Sequence, residues 1–196
     1  LYNFLGKSRI SIHFFDYYEH YTGSFFPKEY LQAGRLQVQQ TLAYHFPQKR
    51  MQLAQQFIEG ASFNMLKTLK YYHNRGKDLS KNLESIEMYR TGIEGTTAID
   101  ELMGLEGNIR MRYYEAFNMI IPDFPFDVRT KQPPRDPINA LISFGNTLCY
   151  TAVLDQIYHT QLNPTISYLH EPGTRRFSLA LDIAEIFKPV LVDRLI

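Results

Sequence analysis

The residues best equipped for chemistry lie between Tyr168 and Pro189. His170 precedes Glu171, Pro172 and Gly173 and so falls in a loop; Arg175 and Arg176 follow it, and then come two carboxylates, Asp182 and Glu185, three residues apart. Wound at about 100° per residue, Ser178 to Lys188 puts Leu179, Ile183, Ile186, Phe187 and Val190 on one broad face. Ala180, Ala184 and Leu191 widen that face, leaving the two acids a narrow stripe beside Leu181. A helix apolar around most of its circumference is a buried helix. Two like charges on it are costly to desolvate unless a cation or a basic partner compensates them.

Glu106 is a second anomaly. It lies four residues after Leu102, three before Ile109 and seven before Tyr113, and so faces the same way as the apolar positions of its helix. An inward carboxylate needs a partner, and the plain structural reading gives it Arg110 or Arg112. Gly107 beside it weakens the helix by about 1 kcal/mol relative to Ala and gives another backbone or a ligand room to approach. His170, the two acids of the later helix and Glu106 together offer one nitrogen and several carboxylate oxygens. That donor set suits Mg²⁺ or Mn²⁺ better than a structural zinc, which prefers thiolates. A cation so held acts as a Lewis acid on a phosphodiester.

Other chemistries fail on missing motifs. The sequence has no Glu-x-x-His pattern for a di-iron bundle, no His-Glu-x-x-His for a zinc protease, no adjacent His-Asp pair and no Gly-rich phosphate loop. Lys67, Lys70, Arg75, Lys77 and Lys81 form a basic window that reads as solvated helix surface. Arg175 and Arg176, between the histidine and the acids, read as phosphate contacts, and Arg110 and Arg112 flank the same candidate site.

These residues need a helical frame to bring them together. Ile10 to Phe14 alternates apolar and polar residues, and an aromatic run from Phe15 to Tyr21 ends at Thr22 and Gly23, so Leu1 to Gly23 reads as strand and turn. From about Leu31 the pattern is helical. Helices are expected from Leu36 to His45, from Gln48 to Tyr72 with a stop at Asn74 to Gly76, and from Ser80 to Tyr89. Another is expected from Thr96 or Thr97 to about Ile121, with Asp100 and Glu101 in its first turn. Pro122, Pro125, Pro133 and Pro134 hold an extended connection. Asp136 and Pro137 then form a strong start signal for a helix reaching Tyr158.

At 196 residues and 44% hydrophobic, the chain can bury one substantial core. Its net charge of +1 leaves any nucleic-acid contact to local patches. A single cysteine, Cys149, excludes an intramolecular disulfide and fits a reducing compartment. No apolar run approaches a bilayer span, so the chain reads as cytoplasmic and free of membrane. The start at Leu1 and the stop at Ile196, inside an apolar segment, read as ends cut from a longer protein.

Four motifs in order carry a family resemblance. They are Glu106-Gly107 with Arg112 and Tyr113 following; Pro133-Pro134, Asp136-Pro137, Asn139, Ser143, Phe144 and Gly145; Leu169-His170; and Ser178, Asp182, Glu185, Lys188 and Pro189. Together they resemble the CRISPR-associated Cas-one integrase and endonuclease family of spacer acquisition, over nearly the whole chain. The resemblance implies a mainly α fold: a multi-helix C-terminal catalytic domain at residues 27–196, preceded at 1–26 by a remnant of an N-terminal β-domain and its linker. It implies a metal-dependent DNA endonuclease and integrase of antiviral defence that joins 3′-hydroxyl ends of a captured fragment to the repeat of a CRISPR array. Glu106, His170 and Glu185 match the family's metal-binding positions, with Mg²⁺ or Mn²⁺ implied, and Asp182 matches an acidic position with a supporting role. Arg112, Arg175 and Arg176 are the expected DNA contacts. The implied partners are double-stranded DNA, a second copy in a homodimer and a small ferredoxin-like adaptation protein. The alternative is a non-catalytic helical DNA-binding or assembly module; convergence of Glu106, His170 and Glu185 at metal-ligand distance separates the two.

Overall fold

Met51, Ala54, Phe57, Ile58, Ala61, Met65, Leu66 and Leu69 recur at helical spacing and produce the longest helix of the fold. The structure, a computed structural model, describes residues 1–27, 33–131, 133–173 and 177–196. Among them lie α1 (Tyr2–Lys7), β1 (Ile12–Phe15), β2 (Tyr21–Phe25), α2 (Gly34–His45), α3 (Pro47–His73) and α4 (Ser80–Thr91). The rest are α5 (Ile99–Glu115), α6 (Phe117–Ile120), α7 (Pro137–Tyr158) and α8 (Ser178–Leu191). The fold is mainly α with one small antiparallel hairpin, as the sequence implies.

The N-terminal segment differs from the strand-and-turn expectation. Residues Tyr2–Lys7 are helical, and Gly23 lies inside β2 opposite Phe14 rather than in a turn. The turn sits earlier because Asp16 accepts the N–H groups of Tyr18 and His20 at 2.8 and 2.9 Å, and Glu19 takes a positive φ of 64°. The hairpin leans on α7: Phe26 stacks on Tyr158 at 3.7 Å, and His13 Nε2 lies 3.5 Å from Asp155 Oδ1.

Helix α5 also ends sooner than the period suggests. Asn82 Nδ2 donates to the Arg112 carbonyl at 2.9 Å, and the Ala116 N–H turns to the Tyr113 carbonyl at 3.3 Å, which separates α6. The Pro-rich connection is pinned by Asn139, whose side chain is fully buried. It accepts from the Thr130 N–H and the Arg129 guanidinium, both at 2.8 Å, and donates to the Val128 carbonyl at 2.9 Å. Asp136 caps α7 through the Asn139 N–H at 2.8 Å, with Pro137 at the first turn.

Helix α8 packs between α3 and α7. Pro189 lies inside it and donates no N–H, and α3 donates to two carbonyls of the same turn: Asn64 Nδ2 to the Ile186 carbonyl at 2.7 Å and Thr68 Oγ1 to the Pro189 carbonyl at 3.2 Å. The buried face of α8 is not the apolar face expected from the helical wheel. Leu179, Ala180, Asp182, Ala184, Glu185 and Pro189 are buried, while Phe187, Val190 and Leu191 are exposed. The acids turn inward because donors await them there.

A close approach occurs at Gly145, to the Val192 side chain, whereas among the described residues no other backbone comes near Gly107. A methyl group at Gly145 would run into the side chain of Val192, whereas one at Gly107 would meet no atom within 4 Å. Gly145→Ala is therefore expected to destabilise the fold by about 1–3 kcal/mol through overpacking. Gly107→Ala, at an open mid-helix position, should stabilise it by up to about 1 kcal/mol. Urea unfolding of the two variants checks the opposite signs.

Candidate active site

Asp182 is fully buried and meets four donors. The backbone N–H groups of Tyr168 and Leu169 reach its Oδ2 at 2.7 and 3.0 Å; the N–H and Nδ1 of His170 reach its Oδ1 at 3.0 and 2.8 Å. A carboxylate saturated in this way fixes the loop to the helix. It also assigns the imidazole proton to Nδ1, since both partner oxygens are acceptors, and leaves Nε2 with its lone pair available.

Other contacts hold the same loop from the far side. Arg50, at the start of α3, donates Nε to the Tyr168 carbonyl at 2.9 Å and a terminal nitrogen to Glu171 Oε2 at 2.7 Å. Its guanidinium lies over the Tyr44 ring at 4.4 Å, and the Tyr44 hydroxyl donates to Glu171 Oε1. Gln40, buried on α2, accepts from the Asn163 N–H at 2.8 Å and donates to the Asn163 carbonyl at 3.3 Å. The start of α8 is tied to this segment, with the Leu179 N–H on the Pro164 carbonyl and Ser178 Oγ on the Thr165 carbonyl, each at 3.0 Å.

One turn on, Glu185 faces α5. Arg110 donates Nε to Glu106 Oε1 at 2.6 Å, and its Nη2 contacts both Glu106 Oε1 and Glu185 Oε2. Lys188 Nζ binds the other Glu185 oxygen at 2.6 Å. Burial would raise the Glu185 carboxyl, but Arg110 and then Lys188 hold it down at about 2. Burial likewise pulls the Arg110 guanidinium down, and Glu185 and Glu106 more than offset it, so the net shift is upward.

The expected site residues therefore fall into two groups. Glu106 and Glu185 meet on Arg110, and His170 and Asp182 pair at the neighbouring turn of α8. Among the described residues, no three His, Cys, Asp or Glu side chains stand together in a metal-ready group, so the convergence of Glu106, His170 and Glu185 expected of the catalytic reading is not seen in this arrangement. The physical reason lies in Arg110, which occupies the point where the two carboxylates converge. Donor chemistry nonetheless fits a hard divalent cation: two carboxylates from separate helices already aim at one cationic nitrogen, and Asp182, one turn before Glu185, holds a histidine by its Nδ1. Arg112 lies on the exposed side of α5, paired with Glu115 at 2.9 Å, and Arg175 and Arg176 lie outside the described residues.

Sequence reasoning assigned no role to Lys188, Arg50 or Gln40. Lys188 had a local signal, three residues after Glu185. Arg50 and Gln40 act across more than a hundred residues and had none.

A helical domain whose buried acids face basic partners, with a carboxylate-held histidine at the neck of a loop, defines the class. A Cas1 protein from Thermotoga maritima has the same fold, with a TM-score of 0.86 and 44% identity over 98% of this chain and 61% of that one. Residues 1–196 match the family described as CRISPR associated protein Cas1, and the chain belongs to that family. A relative from Fusobacterium nucleatum, the CRISPR-associated endonuclease Cas1, is 55% identical over 195 residues, covering 99% of this chain and 58% of that protein. A chain of a Cas6-RT-Cas1–Cas2 complex is similar with a TM-score of 0.82 at 25% identity, over 97% of this chain and 21% of that one. The chain thus spans about three fifths of the length of its curated relatives, 58% and 60% for the first two. No helix among the described residues is long and apolar enough to cross a membrane.

Asp182→Asn keeps one acceptor oxygen and turns an NH2 on the two donors that the other oxygen accepts. A loss of about 2–4 kcal/mol in unfolding free energy is expected, measured in urea at neutral pH. Asp193 gives a prediction about pH. Burial raises its carboxyl from 3.8 to about 7, against opposing pulls from Tyr113 and Arg110. Between those two values the unfolded chain releases a proton that the folded chain keeps, so stability falls as pH rises through that window. Asp193→Asn should remove a decline on the order of a few kcal/mol between about pH 4 and pH 7, read from urea midpoints.

Proposed function

We propose that the chain carries the catalytic centre of a metal-dependent DNA endonuclease and integrase that inserts new spacers into a CRISPR array. The observation that carries this reading is the meeting of Glu106 and Glu185, from α5 and α8, on a single cationic nitrogen in a member of the Cas1 family. Glu106, Glu185 and Nε2 of His170 would hold Mg²⁺ or Mn²⁺. The cation, when bound, supplies charge stabilisation to a phosphodiester. Asp182 keeps the imidazole in one tautomer and one orientation, so His170 presents the same nitrogen at each turnover. Lys188 neutralises the outer Glu185 oxygen and limits the repulsion between the acids.

The reaction exchanges one phosphorus–oxygen bond for another. The 3′-oxygen of the captured fragment bonds to phosphorus, the repeat strand's own 3′-oxygen leaves, and the proton lost by the first is matched by the proton taken by the second. No oxidant or reductant is needed. The partners of this reading are double-stranded DNA, a second copy of the chain and a small ferredoxin-like adaptation protein. A Cas1-containing chain of similar fold sits in a complex with Cas2, which supports the last of these. Arg112, Arg175 and Arg176 are the proposed phosphate contacts.

A second reading is a helical DNA-binding or assembly module. The closed ion network favours it, because Arg110 and Lys188 already neutralise both inner glutamates. Strand-nicking and joining assays with a Mn²⁺ series, run with and without the small partner, separate the two. Glu185→Gln and His170→Ala are expected to lower metal-dependent cleavage at least about a hundredfold while thermal unfolding stays cooperative. Parent and variants with equal activity, or a parent with none, would leave the binding module standing.

A further inference from the structure

Glu106 and Glu185 carry two negative charges, and Arg110 and Lys188 carry two positive ones, so the inner network is neutral as it stands. A divalent cation added between the glutamates would leave that cluster two charges in excess. It would also stand against the guanidinium nitrogen that already contacts both carboxylates. In a partly buried setting such an excess is expensive, and the cation standing where the metal would bind has to leave. Among the described residues, Lys188 bonds the outer oxygen of Glu185, whereas Arg110 bridges the two acids.

We infer that Arg110 is a built-in counter-ion for the candidate metal site: it holds Glu106 and Glu185 together in the metal-free protein and is exchanged for the divalent cation when the cation binds. This rests on the reading of Glu106 and Glu185 as metal ligands and adds a positioning residue to it. The structure provides room for the exchange. Arg110 lines a cavity of about 310 Å³ together with Gly107, Met111, Tyr114 and Arg129. Gly107, one turn before Arg110, leaves its side of the helix clear of any atom within 4 Å of a Cβ position. Asp127 also lines the cavity and offers an acceptor to a guanidinium that turns into it, while Glu115 on the same wall is held by Arg112.

The consequence runs opposite to ordinary truncation. An arginine that only props up the core would, when removed, weaken the fold and leave metal affinity where it was. An arginine that competes with the metal would, when removed, weaken the metal-free fold and tighten metal binding. Its loss leaves the two glutamates needing a cation.

The test is a Mn²⁺ titration of the chain by calorimetry, with thermal melts in chelator and in Mn²⁺. The parent, Arg110→Gln, Arg110→Lys and Glu185→Gln are compared. Arg110→Gln is expected to melt lower than the parent in chelator, to bind Mn²⁺ about tenfold tighter or more, and to gain more in Tm from Mn²⁺. Arg110→Lys, which keeps the charge but loses the fork, should fall between the two. Glu185→Gln should bind Mn²⁺ more weakly than the parent. If Arg110→Gln folds only when Mn²⁺ is present, the inference is supported; if it folds in neither condition, Arg110→Lys decides by the same comparison. Mn²⁺ affinity in the Arg110 variants equal to or weaker than the parent's, with binding still lost in Glu185→Gln, overturns the exchange and leaves the proposed metal site intact. No Mn²⁺ binding by parent or variants overturns both.

Discussion

Two carboxylates buried on one helix determine what must surround α8. Asp182 is fully buried and Glu185 nearly so, and neither can stay there as an isolated charge. The fold answers each with donors from a different direction. The chain before α8 folds back so that three successive backbone N–H groups, Tyr168 to His170, point at Asp182. Helix α5 lies close enough for Arg110 to reach Glu185 while still bonded to Glu106. Helix α3 then closes the third side and supplies Asn64 and Thr68 to carbonyls near Pro189. Remove the need to satisfy these acids, and the loop, α5 and α8 lose their strongest reason for that arrangement.

The same constraint explains why an apolar stripe is left outside. A helical wheel of α8 gives Leu179, Ile183, Ile186, Phe187 and Val190 the inner face, yet Phe187 and Val190 are exposed together with Leu191. Burying a Val or Phe side chain contributes about 1.5–3 kcal/mol, whereas leaving a buried carboxylate without donors costs several. The rotation of the helix follows the larger effect, and the acids win the interior.

Much of the helical frame was legible because it is written locally. The recurrence from Met51 to Leu69 marks α3, and Asp136 with Pro137 marks the start of α7, where the cap is observed. The expected end of α5 at Ile121 failed because Asn82, thirty residues earlier, takes the carbonyl that would have continued the helix. The N-terminal turn was misplaced because Asp16 organises it through side-chain acceptance that no hydrophobic period reveals. At the site, the pairing of Glu106 with Arg110 follows from their spacing of four, and it was one of the two partners expected. That Arg110 also reaches Glu185 depends on how α5 crosses α8, and no local pattern encodes a crossing. Arg50 is the extreme case: its partners Tyr168 and Glu171 lie far along the chain, and only the folded structure joins them.

Asp182 and Glu185 differ by one methylene and by what that extra length reaches. The shorter acid stays at the helix surface and bonds backbone N–H groups, which are fixed parts of the chain and cannot swing away. The longer one extends to α5 and is met by Arg110, with Lys188 on its other oxygen; both partners are long side chains with several rotatable bonds. A carboxylate held by backbone is permanent, and a carboxylate held by side chains can change partners. The helix thus carries one acid built to stay closed and one built to exchange, a single turn apart. His170 is anchored to the first, so its ring stays oriented whatever partners the second takes.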